Sequence, residues 1–163
     1  MREVSRKSSR KLSRGGVPNA LFGRLSLEDA PGELVRLADV LTVLFPWGSL
    51  LRAVAAPELA ALRKLGAIGK PGARVSFLYG YEAERDARAL EEHGLPDLEA
   101  PSALRILEAA YAAAGFQVQA RYASRKEVAS IESTWAKKLS FSGSERVFVT
   151  LEGTVERSRE ADA

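Results

Sequence analysis

A layered α/β sheet with helices on both faces is the fold class that three observations predict. Apolar runs of strand length alternate with segments of helical period along most of the 163 residues. That length suits one domain, and no repeat or low-complexity linker divides it. The final segments read strand, helix, strand without a strong crossover pattern, which suits an antiparallel pair at a sheet edge.

Each element has its own signal. Residues 2–14 read as a helix stopped by Gly15-Gly16. "NALFGRL" (19–25) is a short strand, and "LEDAPGELVRL" is a loop with one helical turn. "ADVLTVLF" (38–45) is a near-continuous apolar run, as expected of a strand covered on both faces. Residues 49–65 carry leucines at helical spacing, and Pro57 splits them into two pieces. "GKPGARVSFLYGY" is a turn followed by a strand. Glu82 to Glu92 is a charged helix that stops near Gly94, and Pro101 to Gly115 is an amphipathic one. "FQVQARY" alternates strictly, so Phe116, Val118, Ala120 and Tyr122 share a strand face. Ser124, with Glu127 three residues on, is a capping box opening a helix that reaches Leu139. "RVFVTLEG" is the last strand. The domain is expected to span 1–153, with a frayed tail over 154–163.

Composition narrows the chemistry. A hydrophobic share of 46% supports a core, and the mean hydropathy of -0.12 is that of a soluble protein. Cysteine is absent, which excludes disulfides, thiolate catalysis and cysteine-based zinc sites and fits a reducing, cytoplasmic setting. The one histidine, His93 in "EEHGLPD", reads as a surface residue, so a histidine triad or metal site is not expected. No run is long enough to span a bilayer. Met1 to Arg14 holds six basic residues and one acid, so the basicity is a patch, of the kind that meets polyanions. The patch shares its Arg and Ser richness with transit peptides, but only Val4 and Leu12 could build an apolar face for one.

The candidate site follows from the strand ends. In open α/β sheets, ligands bind beyond the carboxyl ends of the strands. Trp47 lies there, one residue past Pro46. Pro46 is expected to hold Phe45 extended; Gly48 lets the chain turn, and Ser49 caps the next helix. Such a corner either presents an indole for stacking on a flat ring or plugs the top of the core. The second tryptophan, Trp135 in "SIESTWAKKLS", shares helical spacing with Ile131 and Leu139, as a core stripe would. Yet Ser133, Thr134, Lys137 and Lys138 surround it with donors and positive charge, a setting that holds nucleotides.

"GGVPNALF", "TVLFPWGSLLR" and "STWAKKL", in this order and spacing, resemble the kanamycin–apramycin resistance family of 16S rRNA (adenine(1408)-N(1))-methyltransferases, from Met1 to roughly residue 151. The resemblance implies a class I methyltransferase, Rossmann-like sheet, with S-adenosyl-L-methionine as methyl donor. It implies that Trp47 and Trp135 sandwich the flipped adenine. Leu44, Phe45, Pro46, Trp47, Gly48 and Ser49 would line the donor pocket, with Ser133 and Thr134 opposite and Leu27 and Glu28 beside the donor's adenine. Arg2, Arg6, Lys7, Arg10 and Lys11, with Lys138 and Arg146, would grip 16S rRNA in the 30S subunit. The protein would act as a monomer, away from membranes, without a metal, as an aminoglycoside-resistance enzyme does. Adenine N1 carries a free lone pair at neutral pH, so the implied reaction needs extraction and aim more than a strong base.

No GxGxG follows any strand, and Gly15-Gly16 comes after a helix. The chain is therefore expected to be a fragment that starts beyond the family's glycine-rich donor loop, leaving one sheet edge uncovered. Two other readings stand beside this one: an rRNA-binding remnant without catalysis, and a methyltransferase-like domain with another substrate.

Overall fold

The computed structural model describes residues 20, 23, 25–82, 84–141 and 145–156. The expected basic helix, most of the first strand and the end of the tail lie outside the described residues. The chain divides into two compact units, Met1–Ala30 and Pro31–Ala163. In the first, the Ser26 hydroxyl donates to the Glu28 carboxylate.

The second unit carries a four-stranded mixed sheet in the order β1-β2-β4-β3. The strands are β1 (Ala38–Leu44), β2 (Gly69–Tyr81), β3 (Phe116–Tyr122) and β4 (Val147–Val155). Strand β1 runs parallel to β2 with Leu41 opposite Val75 and Leu44 opposite Leu78. Strand β4 is antiparallel to both neighbours, with Tyr81 opposite Val147 and Tyr122 opposite Val149. The expected antiparallel pair at the edge is β3 with β4, and β4 runs on to Val155, two residues past the expected domain limit.

Pro57 separates α1 (Gly48–Ala55) from α2 (Leu59–Ile68) as expected. The charged helix α3 (Ala87–His93) ends at Gly94 in the left-handed conformation, φ 58°. It begins later than its charge pattern suggests, because residues 84–86 form a turn. Helix α4 (Ala103–Ala113) packs on β3, and its Tyr111 joins Phe77 and Phe116 in an aromatic cluster with centroids 5.5–6.0 Å apart. On the other sheet face, Phe45, Leu78, Val128, Ala136 and Phe148 form a second cluster.

Two sequence expectations change. The helix expected from Ser124 to Leu139 is two helices, α5 (Arg125–Ser130) and α6 (Thr134–Phe141). The chain leaves the helical conformation at Ile131, whose ψ is 128°, and this break turns α6 relative to α5. The capping box itself is present: Ser124 Oγ accepts from Glu127 N at 3.2 Å, and Glu127 Oε2 accepts from Ser124 N at 2.7 Å.

Strand β1 is not covered on both faces. Leu41 is buried and Val43 half-buried, but Val40, Thr42 and Leu44 on the opposite face are exposed. Among the described residues β1 pairs along one edge only, with β2, and none of them covers that opposite face.

Candidate adenine-binding cleft

Strand β1 delivers the chain to the carboxyl edge of the sheet, where it turns sharply. Phe45 is not extended: its φ is 48°, in the left-handed region. A residue before proline ordinarily takes the extended region, and two interactions hold Phe45 out of it. Its N–H donates to Leu78 O at 2.8 Å, and its ring meets Phe148 edge-on at 6.5 Å. Such a conformation costs about 1 kcal/mol or more, which the buried ring offsets.

Gly48 then adopts φ 59°, a value that disfavours any residue with a Cβ, and opens α1. The N-cap position falls to Trp47, without a side-chain cap hydrogen bond, so the expected capping by Ser49 is not formed. The N-cap lies two residues earlier than the expected Ser49, which places Ser49 inside the first turn, exposed.

The corner leaves Trp47 55% exposed. Trp135, in the first turn of α6, is 43% exposed, and the buried residue of that turn is Ala136. Ile131 and Leu139 pack against the buried cluster of this sheet face, which Trp135 does not join. Neither indole plugs the interior. Their rings meet each other, with centroids 6.5 Å apart and planes at 65°.

Both rings line one cleft together with Phe45, Pro46, Leu51 and Tyr81, and with the side chains of Asp86 and Arg146. The cleft encloses about 20 Å³, room for a water rather than a base. Burial and the charge of Asp97 raise the Tyr81 pKa, so its hydroxyl stays protonated and donates to Pro96 O.

The remaining sequence-predicted residues divide as follows. Leu44 and Gly48 lie beside the tryptophan corner, Leu44 exposed, and a Cβ at Gly48 would meet nothing within 4 Å. Ser133 Oγ accepts from Ala136 N at 3.4 Å at the start of α6, and Thr134 beside it is exposed. Lys138 is exposed one turn after Trp135, on the same side of α6. Leu27 and Glu28 belong to the first compact unit. Arg2, Arg6, Lys7, Arg10 and Lys11 lie outside the described residues. His93 closes the last turn of α3.

Arg146, expected to grip rRNA, is paired in the free chain. Its side chain is 9% exposed, with Nη2 3.0 Å from Asp86 Oδ2 and Nη1 donating to Gly80 O at 2.7 Å. Sequence reasoning missed Asp86 and Tyr81, which carry no motif; Tyr81 at the end of β2 and Asp86 at the N-cap of α3 had only their position near a strand end as a signal. No cluster of His, Cys, Asp or Glu suited to a metal ion occurs among the described residues.

Comparison with known proteins places this geometry. A family profile described as "NpmA: 16S rRNA (adenine(1408)-N(1))-methyltransferase" matches residues 1–154. The 16S rRNA (adenine(1408)-N(1))-methyltransferase of Escherichia coli is 31% identical over 160 residues, covering 95% of this chain and 71% of that protein. The enzyme of the same description from Streptoalloteichus tenebrarius is 34% identical over 157 residues, with the same two coverages. Among solved structures, the 16S rRNA methyltransferase KamB superposes with a TM-score of 0.80 at 32% identity, over 96% of this chain and 72% of that one. A tryptophan-to-alanine mutant of the Catenulisporales acidiphilia 16S rRNA (adenine(1408)-N(1))-methyltransferase, solved with its cosubstrate SAM, gives 0.81 at 32% identity, over 98% of this chain and 72% of that one. With its sheet, its paired tryptophans and these matches in agreement, the chain belongs to the 16S rRNA (adenine(1408)-N(1))-methyltransferase family.

Proposed function

We propose that this chain serves S-adenosylmethionine-dependent methylation of N1 of adenine 1408 in 16S rRNA, within the 30S subunit in the cytoplasm, with the tryptophan cleft as the seat of the target base. The observation that carries the reading is the pair of exposed indoles meeting at the carboxyl edge of the sheet. Stacked rings lie about 3.4 Å apart, so a base between two indoles needs roughly 7 Å. The centroid separation of 6.5 Å is close to that, but the 65° tilt is not. The rings close the cleft on each other and must swing towards parallel to admit a purine. Extracting the base costs a few kcal/mol. Stacking contributes roughly 1–3 kcal/mol per base on an aromatic ring, so two indoles can offset that cost.

The residues beside the cleft suit the methyl donor. Leu44 is an exposed apolar surface at the end of β1, Gly48 leaves open space, and Ser133 and Thr134 bring hydroxyls to the start of α6. The donor, when bound, supplies an electrophilic methyl group on sulfur. The protein's own task is to hold the base rigidly with N1 aimed at that methyl, which lowers the barrier by removing orientational freedom. Adenine N1 attacks with its own lone pair, which fits a cleft without histidine or cysteine. Lys138, exposed one turn from Trp135, is a cation for a phosphate of the same RNA on this reading, and Arg2, Arg6, Lys7, Arg10 and Lys11 are further RNA-binding cations. We take the acting species to be the monomer.

Methyl transfer to purified 30S subunits, mapped by primer extension, tests the reading. A stop at adenine 1408 supports it, and a stop elsewhere points to another substrate. Salt-sensitive RNA binding without any calorimetric signal for the donor would favour a non-catalytic remnant.

A further inference from the structure

The sheet edge away from the tryptophans carries a cavity of its own, and the backbone around it is irregular. This is the edge where β1 and β2 begin and β4 ends. Trp47 lies past the other end of β1, seven residues and roughly 20 Å along the strand. The cavity measures about 1000 Å³, at the top of the range of roughly 300–1,000 Å³ in which small-molecule sites fall. Its lining includes Arg36, Gly72 and Gly115, all left-handed, with φ of 55°, 82° and 87°. Between the pairs Ala38–Gly69 and Val40–Arg74, residues 70–73 of β2 stand against Asp39 alone. Lys70 closes that bulge by meeting Asp39 Oδ1 at 2.7 Å. Bulges and left-handed residues gather where a chain is bent around a functional site.

Glycine reaches a positive φ without strain, whereas arginine does not. Arg36 is held there by the last turn of α2: its N–H donates to Ala67 O at 2.8 Å, and the N–H of Leu37 donates to Ile68 O at 3.0 Å. A glycine would make this turn at no steric cost; the arginine brings a charge to the cavity. Helix α2 adds Arg63 to the same lining. Both arginines are exposed, and neither has an ion-pair partner among the described residues. Against these two cations the lining has one carboxylate, Glu156, together with the amide of Gln117.

We propose that this cavity is a binding site for a small phosphorylated molecule bearing hydroxyl groups, a sugar phosphate in chemical class. Guanidinium groups present paired donors that match phosphate oxygens. Glu156 and Gln117 offer acceptors for hydroxyls. No aromatic ring is among the lining residues, so nothing there stacks a base. The site is separate from the tryptophan cleft and does not depend on the reading of that cleft.

Calorimetry with ribose-5-phosphate as the probe tests the proposal. Saturable one-to-one binding is expected, weakening as salt is raised. Arg36→Asn keeps a side chain that accepts the left-handed conformation, and Arg63→Gln changes an exposed helix position. Each is expected to weaken binding about tenfold or more, with thermal melts confirming folded protein. In amide NMR spectra the probe should shift Gly72 and Gly115 and leave the indole N–H signals of Trp47 and Trp135 in place. No saturable binding by the wild type, full binding by both folded variants, or shifts confined to the indoles overturns the site. Inorganic phosphate binding as tightly as the sugar phosphate overturns the part given to Gln117 and Glu156.

Discussion

The indole of Trp47 stands edge-to-face against that of Trp135, with ring centroids 6.5 Å apart. One comes from the corner after a strand and the other from the first turn of a helix, and both are about half exposed. A pair of large aromatic rings facing solvent has no burial to explain it, as the proposed stacking role requires.

Trp47→Ala and Trp135→Ala are accordingly expected to leave stability within about 1 kcal/mol, as for exposed side chains. In a protein carrying the complete family domain, each is expected to lower methylation by about 10²-fold or more through loss of alignment. Subunit binding should stay within a few-fold. Primer extension and filter binding on the same preparations measure both, and normal methylation by either variant would remove the sandwich role.

The capping box makes a pH-dependent contribution. Hydrogen bonds from the Ser124 backbone and hydroxyl, then the Arg121 guanidinium, lower the Glu127 pKa from 4.5 to about 2. A carboxyl held below its unfolded value stabilises the fold above the unfolded pKa, and that contribution is lost as pH falls from about 4.5 towards 2. Glu127→Gln should flatten the acid limb of a stability profile in this window. Ser124→Ala should cost about 1 kcal/mol at neutral pH through the lost cap. Urea titrations across the range read both.

Tyr79 is buried, and its hydroxyl has no hydrogen-bond partner among the described residues. Burial raises its pKa, reinforced by Tyr111 and Tyr81, so it stays neutral. Tyr79→Phe deletes a desolvated group without opening a cavity, and is expected to be neutral or stabilising by up to about 1 kcal/mol. A thermal melt showing a marked loss of stability would reveal a partner for that hydroxyl.

Gly153 is required by close approach. A Cβ there would lie 1.9 Å from Gln117 O and 2.7 Å from Val118 Cα, both backbone atoms of the paired strand β3. Gly153→Ala should therefore separate β3 from β4 and destabilise by about 3 kcal/mol or more. Urea unfolding measures it, and hydrogen exchange should show the loss spreading from Val118.

Much of the framework could be read from local signals. Pro57 between two leucine-patterned segments, Gly94 after α3, and Ser124 with Glu127 all act within a few residues, and each appears where its chemistry required. The two tryptophan motifs stood out as candidate recognition elements. The burial of β1 was not legible: its apolar run suits a strand between two layers, while Val40 and Leu44 are exposed on a strand that pairs on one side among the described residues. The break at Ile131 escaped as well, because Ile131, Trp135 and Leu139 keep helical spacing across it.

By itself, then, the sequence determined the order of strands and helices and several of their stops, the corner at Pro46-Trp47-Gly48 and the kind of chemistry open to a chain without cysteine. Those features rest on backbone preferences and hydrogen bonds between near neighbours. Only the tertiary structure decided that the two indoles meet, that Ala136 rather than Trp135 is buried, and that Arg146 bonds to Gly80, 66 residues away. The reason is the placing of β4 beside β2: strand order and register bring distant residues into contact, and no local pattern encodes them.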